Sequence, residues 1–353
     1  ADGERRCRPR WQMRHSPAEH QPAVRQVRAA ASVEELLAGA THREAWKNSD
    51  SLSGSRLERV TIAGEPRVVK YTCVDDDWIM RATGDLHCRQ LTLFMSGVLD
   101  ALPSAIDHAV IACAPFTSEH GHRGGAFLMR DISRYLVPPG DASISLPMHH
   151  QFLEHMALMH AAYAGFDRGD DLFPTPHHYV VLSPTMAALE EQSGSTEPVP
   201  PAVARGWQTM AKRHPKQSGI LRDLARDPSP IVAALRVGPA TLVHGDWKLG
   251  NLGAGGATTI LLDWDRCGAG APLVDVAWYL GVNCDRLPES KEATLHAYRR
   301  SLETAGVDTS SWWEAQLRPA LAGAFLQLGW SKNEDEKEFG WWSDRLDEAM
   351  QII

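Results

Sequence analysis

The chain has 353 residues, 43% of them hydrophobic and 23% charged. That length calls for two or three packed subdomains, and the composition excludes a fibrous or wholly disordered chain. Acidic residues outnumber basic ones 44 to 36, which argues against nucleic acid as the main partner, and no apolar run approaches the roughly 20 residues of a membrane helix.

The charge is unevenly spread. Residues 1–100 carry 15 basic and 14 acidic residues, net +1, and residues 101–353 carry 21 and 30, net −9. A charged substrate of the C-terminal part would therefore be a cation. The six cysteines, at 7, 73, 88, 113, 267 and 284, show neither CxxC nor zinc-ligand spacing. They read as reduced thiols of a cytoplasmic protein.

Residues 1–31 contain Arg5, Arg6, Arg8, Arg10, Arg14, Arg25 and Arg28 against three acids, with no apolar period. They predict a mobile, dispensable basic tail rather than a secretory signal. Order is expected from Ser32, because Ser32-Val-Glu-Glu35 has capping-box spacing ahead of Leu36 and Leu37. Ser51-Leu-Ser-Gly-Ser55 is a polar turn, followed by strands over 56–62 and 67–74 that are joined by Ala63-Gly-Glu-Pro66. Residues 76–99 predict one helix, weakened at Gly84. Two more strands are expected over 110–114 and 125–129.

Beyond residue 134 the pattern turns helical. Phe152, Met156, Met159 and Tyr163 share one face of a core helix over 149–164. The Ser-, Thr- and Pro-rich stretch 183–202 reads as a loop, residues 203–236 as helical, and residues 270–353 as several helices with many tryptophans packed in the core.

The stretch that carries chemistry is Thr241-Leu-Val-His-Gly-Asp-Trp-Lys-Leu-Gly-Asn251. A hairpin turning at Gly255-Gly256 follows and returns to Ile260-Leu-Leu-Asp-Trp-Asp265. Phosphoryl transfer needs an acceptor hydroxyl held in line with the terminal phosphate, and metal ions to neutralise the nucleotide charge. Asp246, at a strand end, suits the hydroxyl. Asn251 and Asp263 offer the hard oxygen ligands that Mg²⁺ prefers. Lys248 lies two residues past Asp246 and could touch the transferring phosphate. The Asp-to-Asn interval is that of the kinase catalytic loop, with Gly245 in the arginine place. His244 then reads as a buried brace rather than a base.

His244-Gly-Asp246, Asn251, Ile260-Leu-Leu-Asp-Trp264, Pro272-Leu-Val-Asp-Val-Ala277 and Leu158-Met-His160-Ala161 resemble the loops of the aminoglycoside phosphotransferase and choline kinase-type enzymes. The resemblance spans about residues 45–300 and is specific over 241–277. It implies an α+β, two-lobed protein-kinase-like fold, with a small antiparallel-sheet-plus-helix lobe over 32–133 and a mainly helical lobe over 134–353. It also implies that Asp275 braces the catalytic loop and that Lys70, in Arg67-Val-Val-Lys70-Tyr, is the nucleotide lysine. The family's glutamate partner for that lysine is missing, and Asp85 is the best-spaced acid. The phosphate-covering turn, with Ser53 and Gly54, lacks the GxGxxG pattern. Met129–Ser133, with Asp131, stands where the hinge against the nucleotide base belongs.

The implied function is transfer of the terminal phosphate of ATP or GTP, with Mg²⁺, to a hydroxyl of a small molecule. An aminoglycoside, another sugar, an amino alcohol or a nucleoside-like antibiotic all fit as acceptor. A non-catalytic nucleotide-binding protein of the same fold and a protein kinase are the other two readings. Asp275 follows Asp263 by only twelve positions, which leaves no room for a peptide-docking segment. Tryptophans, together with Asp285, Glu289, Glu334, Asp335 and Glu336, are candidates to face a ring-shaped, cationic acceptor.

Overall fold

The computed structural model describes residues 26–46, 52–168 and 171–353. Its N-terminal part is a six-stranded sheet. The strands are β1 (Arg28–Ala29), β2 (Ala40–Trp46), β3 (Arg56–Ile62), β4 (Glu65–Cys73), β6 (Val110–Thr117) and β7 (Arg123–Arg130), while β5 (Ile106–Asp107) pairs elsewhere. The order is β1-β6-β7-β4-β3-β2, antiparallel throughout except for the parallel β1–β6 pair.

Side chains alternate across this sheet, so its two faces have different fates. Val69, Tyr71, Ala126 and Leu128 pack under helix α1 (Val33–Leu36) with Leu36 and Leu37. Phe127 and Cys113 point the other way and join the large core, together with Leu91 and Phe94. Lys70 is paired in register with Phe127 and with Leu57, so it lies on that second face, toward the rest of the molecule.

Ser32 caps α1 by accepting from the Glu35 N–H, and Glu35 reaches back to the Ala31 N–H. Order nevertheless begins before Ser32. Arg28 and Ala29 pair with β6, Ala30 is buried, and its N–H donates to the Cys113 carbonyl at 2.8 Å. The expected tail 1–31 therefore ends too late, and residues 1–25 lie outside the described residues. The reason is an edge: β6 presents unpaired backbone groups that even a short polar strand satisfies. Removing residues 26–31 should lower the melting temperature by several degrees relative to a chain starting at Gln26, measured by thermal denaturation.

The single helix expected over 76–99 is two helices, α2 (Trp78–Thr83) and α3 (Arg89–Met95). Gly84 ends the first in the left-handed conformation, at φ 60°. The Asp85 carboxylate then accepts from the His87 and Arg89 N–H groups and starts the second.

The C-terminal part begins with α4 (Leu146–Ala162). The loop expected over 183–202 is largely helical: α5 (Pro184–Gln192) and the start of α6 (Val199–Arg213) occupy it. Its prolines sit in first turns, where no N–H is needed, so they initiate helices instead of interrupting them. Glu190 on α5 holds Arg81 on α2 by two bonds of 2.9 and 2.7 Å, tying this segment to the small lobe. Helices α7 (Pro215–Arg226) and α8 (Ser229–Leu235) follow.

The chain then forms β8 (Thr241–Val243), β9 (Leu252–Gly255), β10 (Thr258–Leu261) and β11 (Gly268–Gly270). β10 joins β9 in the expected hairpin and is also parallel to β5, while β11 pairs with β8. Four helices close the chain: α9 (Leu273–Val282), α10 (Lys291–Thr304), α11 (Trp313–Leu328) and α12 (Glu336–Ala349). Trp207, Trp247, Trp264 and Trp342 are fully buried in the large core. The five cysteines among the described residues are all free thiols, and no helix among those residues is long and apolar enough to cross a membrane.

Candidate active site

The catalytic-loop candidate is built on β8. Thr241 anchors this strand to α4 by donating its hydroxyl to the His160 carbonyl at 2.8 Å. Past the strand, the His244 and Gly245 N–H groups each donate to a different oxygen of Asp275 at 2.7 Å, and His160 Nε2 meets the same carboxylate at 3.1 Å. Asp275 is wholly buried at the start of α9, so it fixes the loop backbone from below. Burial alone would raise its carboxyl, but these bonds hold it below the usual range. Gly245 adopts φ +78°, and a Cβ there would collide with the His178 ring and the Arg266 carbonyl. Only glycine fits that turn.

His244 is completely buried between Trp247 and Trp264, and its Nδ1 accepts from the Asp246 N–H at 3.2 Å. Burial pushes its pKa down. A neutral ring whose Nδ1 already accepts from the loop orders that loop and has no proton-accepting nitrogen to offer a substrate.

Asp246 is 6% exposed, and both of its oxygens are engaged. Oδ2 accepts from Asn251 Nδ2 at 2.9 Å and from Lys248 Nζ at 2.9 Å. Oδ1 accepts from the indole N–H of Trp278 at 3.0 Å, and Arg266 lies 3.9 Å away. Burial would raise this carboxyl; Lys248 and Arg266 overcome that and keep it below the usual range. Asp246 is therefore ionised and aimed.

Asn251 spends its Nδ2 on the Asp246 carboxylate and carbonyl, which leaves Oδ1 for a cation. The β9–β10 register, with Leu261 opposite Leu252, returns the chain beside it, and the Leu262 N–H donates to the Asn251 carbonyl. Asp263 follows at φ 57°, a strained conformation for a residue other than glycine. Its side chain is 40% exposed and accepts from Lys70 Nζ at 2.7 Å. Desolvation would raise its carboxyl, but Lys70 and Lys248 hold it at about 2. Asp265 lies close by with a buried Oδ1 that has no hydrogen-bond partner, and burial pushes its carboxyl up to about 7.

The expected Lys70–Asp85 pair does not form. Asp85 is occupied in capping α3, and the lysine's partner is Asp263 from the other lobe. Asp77, set aside by spacing because it lies too near Lys70 in the chain, is a second acid whose charge acts on the lysine. It caps α2 and accepts from the Ser55 and Thr72 hydroxyls. The Ser53–Ser55 turn lies between β2 and β3 and is tied down there: the Trp78 N–H donates to the Ser53 carbonyl and its indole to the Leu52 carbonyl. Gly54 sits within that turn. Asp131 accepts from the Ser133 N–H and hydroxyl, on the wall of a cavity of about 370 Å³ lined by Pro66, Arg67 and Arg130 to Tyr135.

Three of the five acids expected at the acceptor side have other tasks. Glu289 meets His149 and His150, Asp335 caps α12, and Glu336 pairs with Arg213. Trp278 is 4% exposed and faces Asp246 rather than an open pocket.

Among the described residues no group of three or more His, Cys, Asp or Glu side chains makes a preformed metal cage. The pair Asn251 and Asp263 still suits Mg²⁺, which takes one or two protein oxygens and completes its shell with phosphates and water.

Residues 147–313 match the family model of the phosphotransferase enzyme family. No curated protein matches the chain. Similar solved structures include an amicoumacin kinase, hAmiN, in complex with AMP-PNP, Ca²⁺ and Ami, at 12% identity over 86% of this chain and 87% of that one, with a TM-score of 0.47. They also include a microcompartment-associated aminopropanol kinase at 13% identity, 87% and 90% coverage and TM-score 0.46. A choline kinase, LicA from Streptococcus pneumoniae, has 12% identity, 90% and 95% coverage and TM-score 0.44. At these values none of the three transfers its substrate to this chain. The matched span contains Asp246, Asn251, Asp263 and Asp275 together with the α4 histidine that holds the last of them, and over that span the chain is similar to the phosphotransferase enzyme family, on a kinase-like fold.

Proposed function

We propose that this chain transfers the terminal phosphate of ATP or GTP to a hydroxyl of a small, sugar-like or aminoglycoside-like acceptor. The observation that supports this most is the meeting of Lys70 with Asp263 beside an ionised Asp246, brought together from both lobes. Asp246 orients the acceptor hydroxyl and takes its proton. Lys248 stands within reach of the transferring group as a point charge. Lys70 holds the nucleotide phosphates. Asn251 and Asp263 hold Mg²⁺, which supplies charge neutralisation on the phosphates. The cavity beside Arg130–Tyr135 offers the base a place. It lies at the hinge end of β4, and Pro66, Val68 and Lys70 share one face of that strand. About 13 Å of extended strand separates Pro66 from Lys70, enough to span a nucleotide from base to terminal phosphates.

A small acceptor is favoured over a protein by the link after Asp263. Trp264–Arg266 forms one tight turn, β11 pairs at once with β8, and α9 begins at Leu273. A peptide has no docking segment there. Labelled ATP and GTP, incubated separately with a panel of aminoglycosides, sugars, amino alcohols, nucleoside-like antibiotics, peptides and proteins, test the reading. Label is expected on a small hydroxylated compound. Efficient labelling of a protein with no small molecule turned over would sink it.

A further inference from the structure

The Asp246 carboxylate is the group whose direction matters most to the proposed transfer, and one of its oxygens is held by a residue outside the catalytic loop. We propose that Trp278 is a positioning residue for Asp246, and that Arg266 keeps its ring in place. This inference rests on the phosphotransfer reading above and adds to it the element that aims the base.

Asp275 and Trp278 stand three residues apart on α9 and so on the same side of the helix. The first holds the backbone at His244 and Gly245. The second donates its indole N–H to Asp246 Oδ1 at 3.0 Å. One helical turn thus fixes both the loop and the carboxylate that projects from it. Oδ2 is left on the side of Asn251 and Lys248, where the metal and the transferring group belong.

The ring is itself clamped. The Arg266 guanidinium lies over it at 4.5 Å, and its NH2 group meets Gln327 Oε1 at 2.7 Å and His178 Nδ1 at 3.2 Å. Burial, with Arg266 beside it, pushes His178 down to about 3, so its nitrogen accepts from the arginine. Arg266 is 3% exposed and cannot swing into water without leaving buried partners unpaired. Trp278 is also too buried to stack on an acceptor. Its ring has no open face, and its one polar atom is spent on Asp246.

Trp278→Phe keeps most of the ring under Arg266 and deletes the donor. Its kcat with a working acceptor should fall about tenfold or more, at unchanged KM for the Mg²⁺-nucleotide and a melting temperature close to that of the unmodified protein. Arg266→Met should lower kcat in the same way, and Arg266→Lys should recover part of the loss. A merely structural role would lower the melting temperature and the folded fraction without moving kcat per folded molecule. The contact itself can be read without any acceptor: the indole N–H resonance missing from Trp278→Phe should shift in Asp246→Ala. A Trp278→Phe kcat within twofold of the unmodified protein, or an indole resonance indifferent to Asp246→Ala, would overturn the proposal. Failure of the unmodified protein to turn over any acceptor would instead remove the phosphotransfer reading, and this inference with it.

Discussion

Asp246→Asn is expected to reduce turnover by on the order of 10²-fold or more while nucleotide binding persists. The side chain keeps its size and can still accept from Trp278, so the loop should stay folded. What disappears is the charge. Asn cannot take the hydroxyl proton, and its amide turns a donor toward either Lys248 or Asn251, both of which already donate to Oδ2. The residues proposed to hold the nucleotide, Lys70, Asn251 and Asp263, are untouched. Steady-state kinetics with a true acceptor, paired with a nucleotide titration, separates the two effects. Near-full turnover by this variant would mean that Asp246 has been given the wrong role.

The second large effect is expected at Asp263. Its replacement by Ala removes a carboxylate oxygen from the proposed Mg²⁺ site and takes from Lys70 the partner it meets at 2.7 Å. Losing an outer-sphere partner typically costs 10–100-fold in metal affinity. Losing a ligand should cost at least that much, and Mg²⁺-dependent nucleotide binding should vanish from a titration in which Mg²⁺ is varied. The buried ammonium of Lys70 would be left with Asp265 and Asp77 as its nearest counter-charges. A nucleotide affinity that keeps its Mg²⁺ dependence in this variant would count against the whole kinase reading. It would also distinguish a metal ligand from an acid that only neutralises Lys70.

What was legible in the chain is what lies close together along it. Asp246, Asn251 and Asp263 fall within eighteen residues, joined by a hairpin whose glycine turn is itself a local signal. Strand propensity marked 56–62 to the residue, and a capping box marked the start of α1. The Asp275 brace was reachable only through resemblance, since no spacing rule ties a helix start to two N–H groups thirty residues earlier.

The tertiary structure decided everything that depended on long-range pairing or on competition between signals. Lys70 meets an acid 193 residues away, and Arg81 one 109 residues away, so proximity in sequence pointed to Asp85 where folding supplied Asp263. Gly84 was a mild helix weakener in isolation, but with a capping aspartate directly after it the chain turns there. The prolines of 183–202 read as loop markers, yet in first turns they cost no hydrogen bond, and the helices they start gain burial against the small lobe. The reading of the C-terminal tryptophans as core residues holds for Trp278, which is 4% exposed, but composition cannot say which way its indole N–H points. That direction is set by the rotation of α9 over the catalytic loop, a packing outcome that no local pattern in the sequence encodes.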